Sequence, residues 1–301
     1  MLNRLIIICG LLMPQLYAHE DPHDVIHELT HQIKKGENLE DLYMKRALEH
    51  RSLGHLKSAK NDLLKVTKLN PKQFYAWLKL AEIEQDVAAA LEYIKQADLV
   101  VTSPENKALV NISYAEHYYK LGSEKAEMLA LKHCNVALSH REDKFNDTEL
   151  VLFKAHILHC LGQFKERASF LTEASKKNGS IVIRNKQIDG LIDSGSIDEV
   201  TPIIKAEIES SRFTSSWKIR LAKCMIASDQ DLTKILNEAI VEINQRFNPA
   251  KPDTTLLLDR AVANALLGKL DEAKKDLKSA ELTSHDQLLI REIRDSLIRG
   301  K

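Results

Sequence analysis

Aromatic residues make up only 5% of this 301-residue chain, and neither sign of charge prevails, with Lys plus Arg and Asp plus Glu at 43 each. A balanced chain has no global field of the kind that recruits nucleic acid or an anionic membrane. Glycine (10) and proline (7) are scarce. No Pro/Gly/Ser-rich linker or low-complexity run divides the chain, so one continuous domain is the simpler expectation. Period-two alternation of apolar and polar residues is almost absent, which argues against strands. The longest apolar run, Leu5 to Met13, falls short of the roughly 20 residues of a membrane-spanning helix. What remains is rich in Leu, Ala, Ile, Lys and Glu, a composition suited to helices with narrow apolar stripes.

Residues 1–18 read as a secretory signal: Arg4 supplies a positive start, the Leu5–Met13 run follows, and Ala18 is a small residue before the cut. The mature protein is therefore expected to be secreted or periplasmic. Cys9 lacks the small residues that a lipidation site would need before it. Cleavage after Ala18 leaves Cys134, Cys160 and Cys224, an odd number in an oxidising compartment. All three fall in helical stretches where a small apolar residue would serve, so inert core thiols are expected; a Cys134–Cys160 bridge is the minor alternative. Asn111, Asn146 and Asn178 each begin a glycosylation sequon.

The chain repeats itself weakly at a period near 34 residues. Near the start it reads Tyr43, Arg46-Ala47, His50, Gly54, Leu56, Ala59, Leu63, Val66 and Pro71; near the end, at the same spacings, Leu257, Arg260-Ala261, Asn264, Gly268, Leu270, Ala273, Leu277 and Ala280. Small residues at Ala47 and Ala261 let two antiparallel helices approach, and Gly54 and Gly268 can take the positive φ that ends a first helix. Pro71 stops the second helix of the first unit. Less regular units run from Ala115 through Gly122 to Ala137, and from Ala155 through Gly162 to Ala174. Two more run from Leu191 through Gly195 to Ile204, and from Leu221-Ala222 to Ala239.

This pattern, with Trp77-Leu78-Lys79-Leu80-Ala81, resembles the tetratricopeptide repeat. The resemblance implies an all-α fold: an α-solenoid of about seven antiparallel helix pairs (a TPR-like superhelix) over residues 38–301, closed by a C-terminal capping helix. It also implies a non-enzymatic scaffold that binds a protein or peptide segment in a concave groove lined by the first helix of each pair. Met44, Leu48, Arg51, Tyr75, Glu82, Glu116, Tyr119, His156 and His159 would project there. Met44 and Leu48 depart from the Lys/Asn pattern of the carboxylate clamp, which disfavours an adaptor for acidic C-terminal tails.

Residues 19–37 are rich in histidine. His27-Glu28-Leu29-Thr30-His31 matches HExxH, the zinc peptidase motif. Lys34 and Glu37 stand where a metzincin has glycine and a third histidine, and too little mature chain precedes the motif to build the usual sheet. A capping helix accounts better for Asp21 to Lys35. Asp21 caps it, Pro22 occupies its first turn, and Val25, Ile26, Leu29 and Ile33 form a stripe about 100 degrees wide that docks on the first repeat. His23, His27 and His31 then form an exposed ridge that could share a Zn or Cu ion. A cut before His19 would add a terminal amine. No cofactor is otherwise expected, and metal binding is the alternative function, ahead of a peptidase.

Overall fold

The computed structural model describes residues 21–226, 230–283 and 287–299; the signal segment expected over residues 1–18 lies outside them. Sixteen helices and no strand are found among the described residues. The first, α1 (Pro22–Lys35), precedes seven consecutive pairs: α2/α3 (Leu39–Ser52, Leu56–Leu69), α4/α5 (Phe74–Ile83, Val87–Val100), α6/α7 (Pro104–Lys120, Glu124–Ser139), α8/α9 (Thr148–Cys160, Phe164–Lys177), α10/α11 (Ile181–Asp193, Ile197–Ser210), α12/α13 (Ser215–Ile226, Thr233–Arg246) and α14/α15 (Thr254–Leu266, Leu270–Thr283). A last helix, α16 (Gln287–Arg299), follows. The expected α-solenoid of seven pairs is the observed architecture. The chain divides into two compact units, residues 1–101 and 102–301.

The small residues expected between the helices are buried, and further alanines join them. Ala47, Ala59, Ala76, Ala90 and Ala97 are buried in the first unit, and Ala115, Ala130, Ala137, Ala155, Ala174, Ala222, Ala239, Ala261, Ala273 and Ala280 in the second. Larger neighbours fill the remaining space: Leu63, Val66 and Leu80 pack with Ala47 and Ala76, and Val200, Ile204 and Ile188 with Ala168. The degenerate α10/α11 pair lacks some small residues yet folds the same way, because Gly190 lies against Ala168 and Leu171 of α9. Cys134 and Cys224 are buried and Cys160 half-buried, all as free thiols.

The turns follow the same logic. Gly54, Gly122, Gly162, Gly195 and Gly268, one between the helices of five of the pairs, all have positive φ, from 65° to 80°. Asp21 caps α1 through its own side chain, and Gly36 closes that helix in the left-handed region. Leu29 is buried against the first pair while His23, His27 and His31 stay exposed, the division expected of a capping helix.

Gly190 and Gly195 make a paired test. A Cβ at Gly190 meets Ala168 Cα and Leu171 Cδ1 at 3.4 Å, ordinary contact in a regular helix, whereas Gly195 sits at φ +80° with open space around it. Gly190→Ala should leave stability unchanged or raise it by up to about 1 kcal/mol through helix propensity. Gly195→Ala should cost about 1 kcal/mol from backbone strain alone. Paired thermal melts read the contrast.

Candidate helix-docking surface

Two arginines tie consecutive helices together by the same geometry. In the first unit Arg46 donates Nε and Nη2 to Asp62 at 2.7 and 2.9 Å, and Nη1 to Thr30 Oγ1 at 2.9 Å. In the second, Arg260 donates Nε and Nη2 to Asp276 at 2.8 and 2.7 Å, and Nη1 to Asn244 Oδ1 at 2.7 Å. Each partner lies 16 positions away, one upstream and one downstream. One guanidinium therefore spans three successive helices, α1–α3 or α13–α15. The fork geometry is what a planar guanidinium offers a carboxylate, and the Asp62 and Asp276 hydrogen bonds raise the two arginine pKa values.

In the first unit the exposed face of the first helices carries the expected residues. Leu48 and Tyr75 are exposed, and Glu82 on α4 takes a hydrogen bond from Arg51 on α2 and an ion pair from Lys79 at 2.6 Å. Met44 instead is partly buried against the Leu63/Leu80 cluster. The histidine ridge does not converge. His23 leans toward His55, rings 6.2 Å apart, and His55 toward His50 at 5.9 Å, while Glu28 accepts a hydrogen bond from Gln32 at 2.8 Å. Among the described residues no three His, Cys, Asp or Glu side chains are arranged to hold a metal.

In the second unit the first helices of successive pairs touch: α8 with α10, α10 with α12, α12 with α14. Across this layer lies α16. It reaches beyond the last pair to α8, so the expected C-terminal capping helix extends farther than a cap. Ile290 is 1% exposed and packs with Leu257, Leu258, Leu277 and Ala280. Arg291 stands 4.7 Å over the Tyr119 ring and donates to Glu127 at 2.6 Å. Glu292 accepts hydrogen bonds from Arg167 and Lys186. Of the expected groove residues, Tyr119 meets Arg291 and His159 meets Glu292 of this helix, His156 lies against Tyr119, and Glu116 is exposed.

The two histidines differ from the open groove lining that the sequence suggests: both are buried. His156 Nε2 meets the Tyr119 hydroxyl at 2.6 Å and Cys160 Sγ at 3.4 Å. His159 Nδ1 lies 3.3 Å from Arg167 Nη1, 3.4 Å from Asp193 and 3.9 Å from Glu292. Arg167, only 1% exposed, donates to both Asp193 and Glu292. Burial alone would raise the Glu292 pKa, but Lys186 and Arg167 outweigh it and hold the carboxyl down at about 2. Burial pushes His156 down to about 4. Beside α16 a cleft of about 530 Å³ opens between α10, α12 and α14. Arg220 forks onto Asp189 at 2.8 and 3.2 Å there, and burial raises Asp259 against Ser216 and Arg220.

Sequence reading singled out Arg46 and Arg260 but not their aspartates. The signal was available, since Asp62 and Asp276 stand at the same offset from the two arginines. Nothing local could have found Glu292 or Arg291, whose partners Arg167 and Glu127 are 125 and 164 positions away. Two sequons are also committed to internal bonds: Asn111 Nδ2 donates to the Lys107 carbonyl at 2.8 Å and Asn178 Nδ2 to the Phe145 carbonyl at 2.6 Å.

A pH profile tests the buried network. The folded-state pKa of His156 is depressed below its ordinary 6.5. Its contribution is thus fully present above pH 6.5 and is lost as pH falls toward 4. At about 1.4 kcal/mol per unit this is roughly 3–3.5 kcal/mol. Glu292, depressed from 4.5 to about 2, loses its contribution as pH falls from 4.5 toward 2, mostly below that window. Denaturant melts should show His156→Gln flattening the fall between pH 6.5 and 4 and leaving the steeper fall below pH 4 in place.

No family model matches the sequence, and no curated protein is significantly similar to it. Solved structures are. A tetratricopeptide repeat protein from Parabacteroides merdae superposes with a TM-score of 0.59 at 17% identity, over 86% of this chain and 99% of that one. Yeast Tom70 gives 0.49 at 15% identity, over 93% of this chain and 58% of that one. The type IV pilus biogenesis factor PilW gives 0.45 at 16% identity, over 84% and 97%. The first of these matches agrees with the paired helices, the glycine turns and the small residues at the crossings: by fold, this chain is a tetratricopeptide-repeat α-solenoid.

Proposed function

We propose that the protein is a non-enzymatic interaction scaffold that holds a protein or peptide segment against the first helices of its repeats. One observation carries this reading. In the second unit a helix, α16, already lies across first helices α8 and α14, held through the Tyr119 ring, the buried Arg167–Glu292 ion pair and an apolar stripe. A surface that grips a helix of its own chain has the chemistry to grip one from another. The corresponding face of the first unit offers Leu48 and Tyr75 exposed beside the Arg51–Glu82 pair, which suits apolar anchors flanked by charge that sets specificity.

The partner is a protein; equal numbers of basic and acidic residues offer no general attraction for phosphate backbones. No helix among the described residues is long and apolar enough to cross a membrane. The leader-like character of residues 1–18 supports action outside the cytoplasm, in a secreted or periplasmic setting.

The test is site-specific photo-cross-linking in the native compartment. A photoreactive residue at Tyr75 on α4 should yield a discrete adduct with one protein, weakened by Leu48→Ala. The same residue at Leu99, exposed on α5, should yield none. Equal labelling from both positions, or no adduct at Tyr75, would contradict the reading.

A further inference from the structure

The docked C-terminal helix specifies what can replace it. Arg291 and Glu292 are neighbours in sequence, so on a helix their side chains diverge by about 100 degrees. They enter two different sites. Arg291 reaches toward α6 and α7, where Glu127, itself buried, and the Tyr119 ring receive a cation. Glu292 reaches toward α9 and α10, where Arg167 and Lys186 receive a carboxylate. Leu289, Ile290 and Ile293 meanwhile pack on the cluster made by α14 and α15.

Neither site tolerates the wrong occupant. Arg167 is 1% exposed and shares its charge between Glu292 and Asp193; Lys186 pairs with Glu292 as well. Asp193 answers one of these two cations, and a second anion is therefore needed beside them. Glu127, 7% exposed at its side chain and paired with Arg291, imposes the opposite demand about 100 degrees around the helix. An uncharged helix would leave both unmet, and a helix with Glu and Arg exchanged would set like charges against each other.

Building on the scaffold reading, we propose that α16 is an internal stand-in for a partner helix, and that the partner presents an Arg-Glu pair beside an Ile/Leu stripe and displaces α16 when it docks. The face is thus a selective reader of amphipathic helices of that charge order. The chain's own copy, tethered and at high effective concentration, sets the threshold a partner must exceed.

The probe is a fluorescein-labelled peptide with the sequence of residues 287–299, titrated by anisotropy into the full-length protein and into full-length Arg291→Ala/Glu292→Ala. The variant, whose own helix is loosened, should bind the peptide at least about tenfold more tightly than the unaltered chain. A peptide with Glu and Arg exchanged at the two positions should bind neither. Glu292→Gln, which keeps the side chain's size, should give the same ordering if the double variant melts early. Equal affinity for both proteins, no binding to a variant that circular dichroism shows folded, or equal binding of the exchanged peptide would overturn the proposal. So would a dimer of the unaltered chain in sedimentation whose formation the peptide blocks, since the occupant would then be a second copy. A trans peptide that binds while Tyr75 gives no adduct would sink the scaffold reading alone; the converse would sink this inference alone.

Discussion

Close approach of helices at alanine is the constraint from which the rest of this structure follows. Each pair can bury its apolar stripe only if two helix axes come near enough for Leu63, Leu80 or Ile204 to interlock with the neighbouring helix, and a larger residue at Ala47, Ala155 or Ala261 would hold them apart. Because successive pairs pack on one another in this way within the second unit, its first helices form a continuous layer from α8 to α14. A solenoid of this kind has no single central core; its stability is the sum of local interfaces. Arg46 in the first unit and Arg260 in the second reinforce those interfaces, each fixing three consecutive helices with one guanidinium.

On that layer the second unit carries more buried charge than a packing surface needs. Ion pairs taken out of water gain little net stability over apolar side chains of the same volume, so the network of Arg167, Asp193, Lys186 and Glu292 is poorly explained as a stabilising device. The proposed recognition role accounts for it instead: a buried cation discriminates sharply between a helix that brings a carboxylate and one that does not. His156 and His159 are buried beside this network, His159 against Arg167, Asp193 and Glu292 and His156 against Tyr119 and Cys160.

Much of the fold is legible in the sequence because it is written in local chemistry. The glycine at each of five turns, the alanines at the crossings, Asp21 and Pro22 at the start of α1, and Asn70-Pro71 after α3 each state a backbone or packing requirement within one or two turns of themselves. Leu48, Arg51, Tyr75 and Glu82 are found on the expected helices for the same reason. The docking of α16 is not written locally. Its stripe of Leu289, Ile290 and Ile293 reads as any capping helix would, and its charges acquire meaning only when the chain brings Glu127 and Arg167 to them. HExxH is the converse case, a local pattern whose chemistry the fold does not assemble: on α1 its histidines are exposed and its glutamate faces Gln32.

Hydrogen–deuterium exchange over α16 tests the central claim most directly. An isolated helix of 13 residues is marginal in water, so its amides would exchange within seconds unless the helix is docked. Docking on the second unit predicts protection of residues 288–294 comparable to that of α14. Glu292→Gln should release it and raise exchange in α8 and α10 without changing α2 to α5. Exchange of α16 at the rate of an unstructured peptide in the unaltered protein would contradict the account.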